Sequence, residues 1–238
     1  MKRFPILRFI SMAVLLFSCN NEPAKEEAKT TDTTAAVTAS QPEVKPVFIP
    51  FKVVIVQHKV KDFEKSEAEY FNRDSLRKTY GITHYVIGRD VRNPNTVFVI
   101  DKIEDLEKAK AFYALPGARE AMKKAGVSSP PGFTYAEIIR SNDSPLQFTN
   151  GLAVTHHVKD FDNWLKAYDA DGVSRSANGL IERAIARNLY DSNTVSILFE
   201  VSDTAKAKAR MASPDLKKIM TDAGVDSPPT TRWYMVIK

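Results

Sequence analysis

The chain has 238 residues, 43% of them hydrophobic and 26% charged, with a formal net charge of +5. Its single cysteine excludes a disulfide within the chain, so any folded region must be held by its core. The basic residues form no stripe interleaved with aromatics, so a nucleic-acid partner is not expected.

Met1-Lys2-Arg3 and Arg8 flank a short apolar run from Phe9 to Phe17. The run is too short to cross a membrane, which takes about 20 apolar residues. It ends in Leu15-Leu16-Phe17-Ser18-Cys19. These residues resemble a bacterial lipoprotein signal, in which the cysteine is lipidated and becomes the first residue of the mature chain. The resemblance implies a signal peptide over residues 1–18, lipidation at Cys19, and a membrane-anchored lipoprotein of the cell envelope, facing either periplasm or exterior. A simple secretory signal is the alternative, and Phe17 is bulkier than the pattern prefers. Removal of Lys2, Arg3 and Arg8 with the signal lowers the formal charge from +5 to +2. Residues 19–49 are rich in Ala, Thr, Glu, Lys and Pro, and have too little apolar area to offset the entropy of ordering, so a disordered tether is expected there.

The remainder repeats itself. Ala125-Gly126-Val127-Ser128-Ser129-Pro130-Pro131 returns as Ala223-Gly224-Val225-Asp226-Ser227-Pro228-Pro229, 98 positions later (125 to 223). The same offset relates His58-Lys59-Val60-Lys61-Asp62-Phe63 to His156-His157-Val158-Lys159-Asp160-Phe161, and Lys108-Ala109-Lys110-Ala111 to Lys206-Ala207-Lys208-Ala209. About 29 of roughly 88 ungapped pairs are identical, which marks a tandem duplication. Repeat 1 covers residues 50–141, a connector 142–150, and repeat 2 residues 151–238.

Each repeat reads β-α-β-β-α-β. Phe51–Val60 is a Val- and Ile-rich strand. Asp62 caps a helix that runs to about Tyr80, where Gly81 ends it. In repeat 2 the apolar stripe Phe161, Trp164, Leu165, Tyr168 and Val173 has the helical period, and Gly179 closes it. A hairpin follows, Ile82–Asp90 with Thr96–Ile103 in repeat 1 and Leu180–Leu189 with Thr194–Val201 in repeat 2, each around a turn-forming segment. Asp105 and Asp203 open a second helix, which Pro116 and Pro214 interrupt; Ser213-Pro214-Asp215 is a restart with its own cap. Gly126 and Gly224 end it, and the double prolines lead into the last strands, Phe133–Ile139 and Arg232–Ile237. Such a unit forms a four-stranded antiparallel sheet with both helices on one face. The fold expected is therefore α+β: two tandem ferredoxin-like repeats that pack sheet to sheet within one chain, as a monomer. Two separate units, each pairing with another chain, are the alternative.

The run His-x-Val-x-Asp-Phe, the Arg92-Asn93-Pro94-Asn95 turn with Thr96-Val97, and the Ala-Gly-Val-x-Ser-Pro-Pro closure resemble the dimeric α/β-barrel superfamily, in particular its antibiotic-biosynthesis-monooxygenase-like and cyclase-like members. The resemblance covers nearly all of the chain after Phe51. It implies the fold and leaves activity open, because the superfamily includes cofactor-independent oxygenases, haem-degrading enzymes, cyclases, chlorite dismutase relatives and members without known activity. A small-molecule-binding or other non-catalytic lipoprotein is the first expectation. A cofactor-independent monooxygenase or cyclase acting on an aromatic substrate is the second, and a haem-handling protein the third.

Candidate ligand-binding residues are those matched across the repeats, together with the aromatics. His58 and His156 end the first strand of each repeat. Either could be a base near neutral pH, or could hydrogen-bond to the Asp62 or Asp160 turn. His157 follows His156 on a strand and so faces the opposite way. No metal site of usual ligand type is expected, and no cofactor. Arg89 and Arg187 could bind an anion bidentately or form a salt bridge across the hairpin. Arg77 and Arg175 are expected on a solvated helix face. Trp164, Trp233, Tyr135, Tyr168 and Phe133 could line a cavity for a small aromatic ligand or form ordinary core. No phosphate loop, serine elbow or paired carboxylates stand out. Repeat 2 carries the richer set, with His156, His157, Trp164, Arg187 and Trp233 against His58, Lys59, Ser66, Arg89 and Tyr135, so a surviving site is expected between its first helix and its sheet.

Overall fold

The computed structural model describes residues 48–237; the expected signal peptide, Cys19 and most of the tether lie outside them. The order in repeat 1 is β1 (Phe51–Lys59), α1 (Phe63–Phe71), α2 (Asp74–Thr79), β2 (Ile82–Asp90), β3 (Thr96–Ile103), α3 (Leu106–Ala114), α4 (Pro116–Lys124) and β4 (Gly132–Ser141). Repeat 2 returns it as β5 (Asn150–His157), α5 (Phe161–Ala170), α6 (Gly172–Ala177), β6 (Leu180–Asn188), β7 (Thr194–Val201), α7 (Thr204–Met211), α8 (Pro214–Asp222) and β8 (Thr230–Val236).

The capping residues do what their side chains favour. Asp62, Asp160, Asp105 and Asp203 each accept the backbone N–H three residues on, at 2.8–3.0 Å. Ser213 accepts from the Leu216 N–H at 3.1 Å, with Pro214 in the first turn. The first helix of each repeat is not continuous, however. It breaks at Arg73 and at Asp171, where neither junction has a side-chain cap. At the break Arg77 and Arg175 donate to the carbonyls of Tyr70 and Tyr168, the first of which also accepts the Arg73 N–H at 3.2 Å. Val173, expected on the apolar stripe, therefore lies beyond the break and is 86% exposed.

Each repeat forms one four-stranded sheet, in the order β4-β1-β3-β2 and β8-β5-β7-β6. Their edges join through β2·β8 and β4·β6, so all eight strands close into one antiparallel barrel. Both halves come from the same chain, and this is the dimeric α/β-barrel arrangement. Strand alternation then sets two environments. Inward-facing residues such as Val53, Ile100, Ile138 and Ala186 fill the barrel. Outward-facing residues pack beneath the helices, among them Val54 and Ile82 in repeat 1 and Leu152 and Ile197 in repeat 2.

The recurring Ala-Gly-Val-x-Ser-Pro-Pro stretch pins the ends of β1 and β5. Ser129 Oγ accepts the Lys59 N–H, and Ser227 Oγ accepts the His157 N–H, each at 2.8 Å. The Gly126 and Gly224 carbonyls accept from Lys61 and Lys159 at 2.9 Å. His58 and His156, at these pinned ends, are thus held in place by the backbone. Within the barrel, Phe98 and Tyr234 meet edge to face at 4.9 Å. Gly88 and Gly151 make room for them: a Cβ at either position would come within 2.3 Å of a ring atom.

Candidate functional site

Each repeat has a cavity between the outer face of its sheet and its helices. In repeat 1 its volume is about 90 Å³, and Val56, His58, Ser66, Tyr70, Asp101 and Tyr113 are among its walls. In repeat 2 the equivalent space is about 60 Å³, bounded by Val154, His156, Trp164, Tyr168, Leu216 and Ile219 among others.

His58 and His156 are 9% and 5% exposed. Neither bonds to the expected aspartate turn, because Asp62 and Asp160 are engaged as helix caps. His58 Nδ1 and both ring nitrogens of His156 have no hydrogen-bond partner. Burial lowers the pKa of each to about 4, so both are neutral at pH 7. His58 therefore presents an unpaired ring nitrogen in an apolar cavity. His156 instead meets the edge of Trp164, with ring centroids 5.6 Å apart.

The far end of the repeat 1 cavity is polar. Asp101, on β3, has no exposed surface. Tyr70 donates to its Oδ1 at 2.5 Å, and Tyr113 to its Oδ2 at 3.1 Å. The Tyr70 oxygen also lies 3.0 Å from His84 Nδ1. Burial raises the pKa of Asp101, against the lowering effect of the tyrosine bonds and Arg77. The same burial, with Asp101 nearby, raises Tyr70 and Tyr113. Arg77, 3% exposed rather than solvated, lies 3.6 Å over the Tyr70 ring. His58 and Asp101 face the same side, with the register pairing them to Val97 and Val54. Four residues of strand separate them, roughly 13 Å. The cavity can thus address a molecule at both ends.

Repeat 2 differs at the same positions. Trp164 stands for Ser66 and stacks on Tyr168 at 5.0 Å. Phe199 stands for Asp101, Met211 for Tyr113, and Leu216 and Ile219 for Ala118 and Ala121. Arg210, in place of Phe112, ties the helices from inside: it reaches Asp171 at 2.8 Å and Asp215 at 2.7 Å. The helices of repeat 1 are joined across their cavity by surface contacts, Lys124 to Glu69 at 2.7 Å and Arg73 to the Gly117 carbonyl at 3.2 Å. Exposed contacts of this kind are worth about 0–1 kcal/mol each. The repeat 2 cavity is the smaller of the two and its helices are tied from inside; the repeat 1 cavity is larger and its helices are lightly latched.

The other expected residues lie elsewhere. Arg89 and Arg187 brace their hairpins, donating to the Pro94 and Ser192 carbonyls at 2.8 and 2.7 Å and covering the Phe63 and Phe161 rings. They form this carbonyl bond rather than a cross-hairpin salt bridge. His157 faces away from His156, with Nδ1 2.6 Å from Asp226, which raises its pKa. Tyr135 packs with Val54 and Val56 and faces Tyr190 edge-on at 6.2 Å. Trp233 borders a surface groove beside Lys208. The structure thus brings His58 to one cavity and His156 with Trp164 to the other. Ser66, Asp101, Tyr113 and Arg77 complete the repeat 1 cavity.

No protein-family profile and no curated protein matches the chain. Solved structures do. An anthrone oxidase-like protein aligns with a TM-score of 0.52 at 14% identity, over 79% of this chain and 92% of its own. A candidate monooxygenase from Fusobacterium nucleatum aligns with a TM-score of 0.51 at 10% identity, over 80% and 93%. A haem-degrading enzyme from Listeria monocytogenes aligns with a TM-score of 0.42 at 15% identity, over 77% and 98%. At these identities the likeness is one of fold: this chain folds as the anthrone oxidase-like and monooxygenase-like dimeric α/β barrels do.

Proposed function

We propose that the protein is a membrane-anchored lipoprotein of the cell envelope that binds one small hydroxylated aromatic molecule per chain, in the repeat 1 cavity. The observation that carries this is the exchange of Ser66 for Trp164 at equivalent positions. The serine leaves space beside an unpaired histidine; the tryptophan takes up part of it. His58 and the Asp101 cluster offer hydrogen-bond partners at either end, while Val56, Phe112 and Met122 offer apolar contact. A cavity of about 90 Å³ is smaller than the roughly 150 Å³ that holds benzene, so entry of a ring requires α1–α2 and α4 to part. The surface latches permit this at low cost. A tetrapyrrole exceeds the space, which counts against haem handling at this cavity.

The test is a fluorine NMR titration of the protein with 4-fluorophenol. One site per chain is expected. Ser66→Trp should abolish it, and His58→Ala should weaken it about tenfold through loss of one hydrogen bond. His156→Ala should leave it unchanged. Binding that survives Ser66→Trp, or that is lost in His156→Ala alone, overturns the assignment.

A second reading, a cofactor-independent monooxygenase or cyclase, draws support from the neutral, unpaired His58. A ring nitrogen in that state can accept a hydrogen bond from a bound phenol and so orient the ring, while burial leaves it too weak a base to hold the phenol's proton. Oxygen uptake with a panel of quinols distinguishes turnover from binding alone. The anchor has its own check. Cys19→Ser should leave the protein in the soluble fraction, or unprocessed. A variant still held by membranes after a carbonate wash would disprove lipid anchoring at Cys19.

A further inference from the structure

A separate cavity lies inside the barrel, on the face of the sheets away from the helices. Its volume is about 320 Å³, within the range of small-molecule sites, about 300–1,000 Å³. The Phe98–Tyr234 pair lines it, together with Val86, Ile100, Ala184 and Leu198. The connector contributes Asn142, Asp143 and Leu146 at the mouth, where β1 and β5 begin. Its lining is mostly apolar, with Lys102, Asp143 and Arg183 as its charged members.

The charges at this mouth are unequally engaged. Lys102 and Glu200 occupy equivalent positions, 98 residues apart (102 to 200). Glu200 Oε1 accepts the N–H groups of Gln147 and Phe148, each at 2.8 Å, and its Oε2 lies 3.4 Å from Arg183. Arg183 in turn donates to the Ser144 carbonyl at 2.6 Å. Asp143 accepts from the Ser141 hydroxyl at 3.0 Å, with the Tyr85 hydroxyl at 3.5 Å. Lys102 has no carboxylate partner among the described residues. Its ammonium lies 4.2 Å from the Phe51 ring centre and 4.7 Å from that of Tyr85. The duplication therefore placed an acid and a base at one mouth, the connector took the acid, and the base was left for something else.

We propose that the barrel interior binds an anionic amphiphile, a medium-chain monocarboxylate, with its carboxylate on Lys102 and its chain on Phe98, Ile100 and Leu198. A small polar anion would leave the apolar walls uncovered, and an alcohol would leave the ammonium without its counter-charge. A carboxylate with an apolar chain meets both needs. The site is independent of the repeat 1 cavity, which lies on the other side of the sheet.

The test is a calorimetric titration of the whole protein with octanoate, and with octan-1-ol as the uncharged control. Octanoate is expected to bind once per chain, at least tenfold more tightly than octan-1-ol. Lys102→Met should weaken octanoate tenfold, about 1.4 kcal/mol, and leave octan-1-ol unchanged. Ala184→Ile, which fills the chamber without altering charge, should abolish binding of both and decides the matter if Lys102→Met does not fold. Ser66→Trp, which blocks only the repeat 1 cavity, should have no effect. Equal affinity for acid and alcohol, an unchanged affinity in folded Lys102→Met or Ala184→Ile, or loss of octanoate binding in Ser66→Trp each overturns the proposal.

Discussion

Between pH 6.5 and pH 4 the protein is expected to lose roughly 3 kcal/mol of stability for each of His58 and His156. Burial lowers both from the ordinary 6.5 to about 4. In that window the unfolded chain binds protons that the native state refuses. Stability therefore rises with pH through the window and falls on acidification. Asp101, whose pKa burial raises, acts in the opposite sense, because its native carboxyl holds a proton that the unfolded chain has released. His157 acts in the opposite sense above that window. Its partner Asp226 raises its pKa, so its contribution is complete below its ordinary pKa and is lost as pH rises through the raised one. Urea midpoints at pH 7, 5.5 and 4 measure the sum. The difference between the natural chain and a His58→Asn, His156→Asn double variant isolates the two buried rings. Parallel profiles for the two proteins would mean that these histidines are not desolvated as described.

Arg210→Ala is expected to destabilise the fold by roughly 3–5 kcal/mol, the usual cost of removing one member of a buried ion pair. The guanidinium is 7% exposed and joins Asp171, itself 11% exposed, to the more exposed Asp215. Its loss strands the Asp171 carboxylate in a poorly solvated place, with Arg175 at 3.8 Å as the remaining cation. Repeat 1 provides its own control, since Phe112 and Arg73 stand at the positions of Arg210 and Asp171. The paired exchange Arg210→Phe with Asp171→Arg should recover much of the loss by restoring the repeat 1 arrangement. Denaturant unfolding reads both variants; a loss under 1 kcal/mol for Arg210→Ala would show the network to be peripheral.

The architecture was legible because its signals are local. Hairpin strands at Ile82–Asp90 and Thr96–Ile103, the aspartate caps and the proline breaks each depend on residues a few positions apart, and the duplication states them twice. The break at Arg73 and Asp171 was not legible, since it depends on an arginine four residues further on reaching back to a carbonyl. The site is harder still. Ser66, Asp101 and Tyr113 come from three different elements, and nothing in the period of a strand or helix marks them. The Ser66-for-Trp164 exchange is plain in the sequence. Which of the two marks an open cavity depends on what Ala118, Ala121, Leu216 and Ile219 leave unfilled, and that is a matter of packed volume. A larger, more aromatic residue reads as a richer wall, yet the cavity beside Trp164 is the smaller of the two. Arg77 and Arg175 show the same limit, as matched polar residues that turn inward onto tyrosine rings.

The two seams that close the barrel also set the order in which the protein can finish folding. Repeat 1 can pair β4, β1, β3 and β2 as soon as they leave the ribosome, yet its β2 edge then has open backbone amides and carbonyls. The partner for that edge is β8, residues 230–236, which is synthesised after every other strand of the barrel. An unpaired strand edge is a template for pairing with other chains. Until β8 emerges the polypeptide is thus an open ring whose exposed flank invites a neighbour. A chain truncated before Thr230 should accumulate as linked assemblies rather than as a smaller soluble protein.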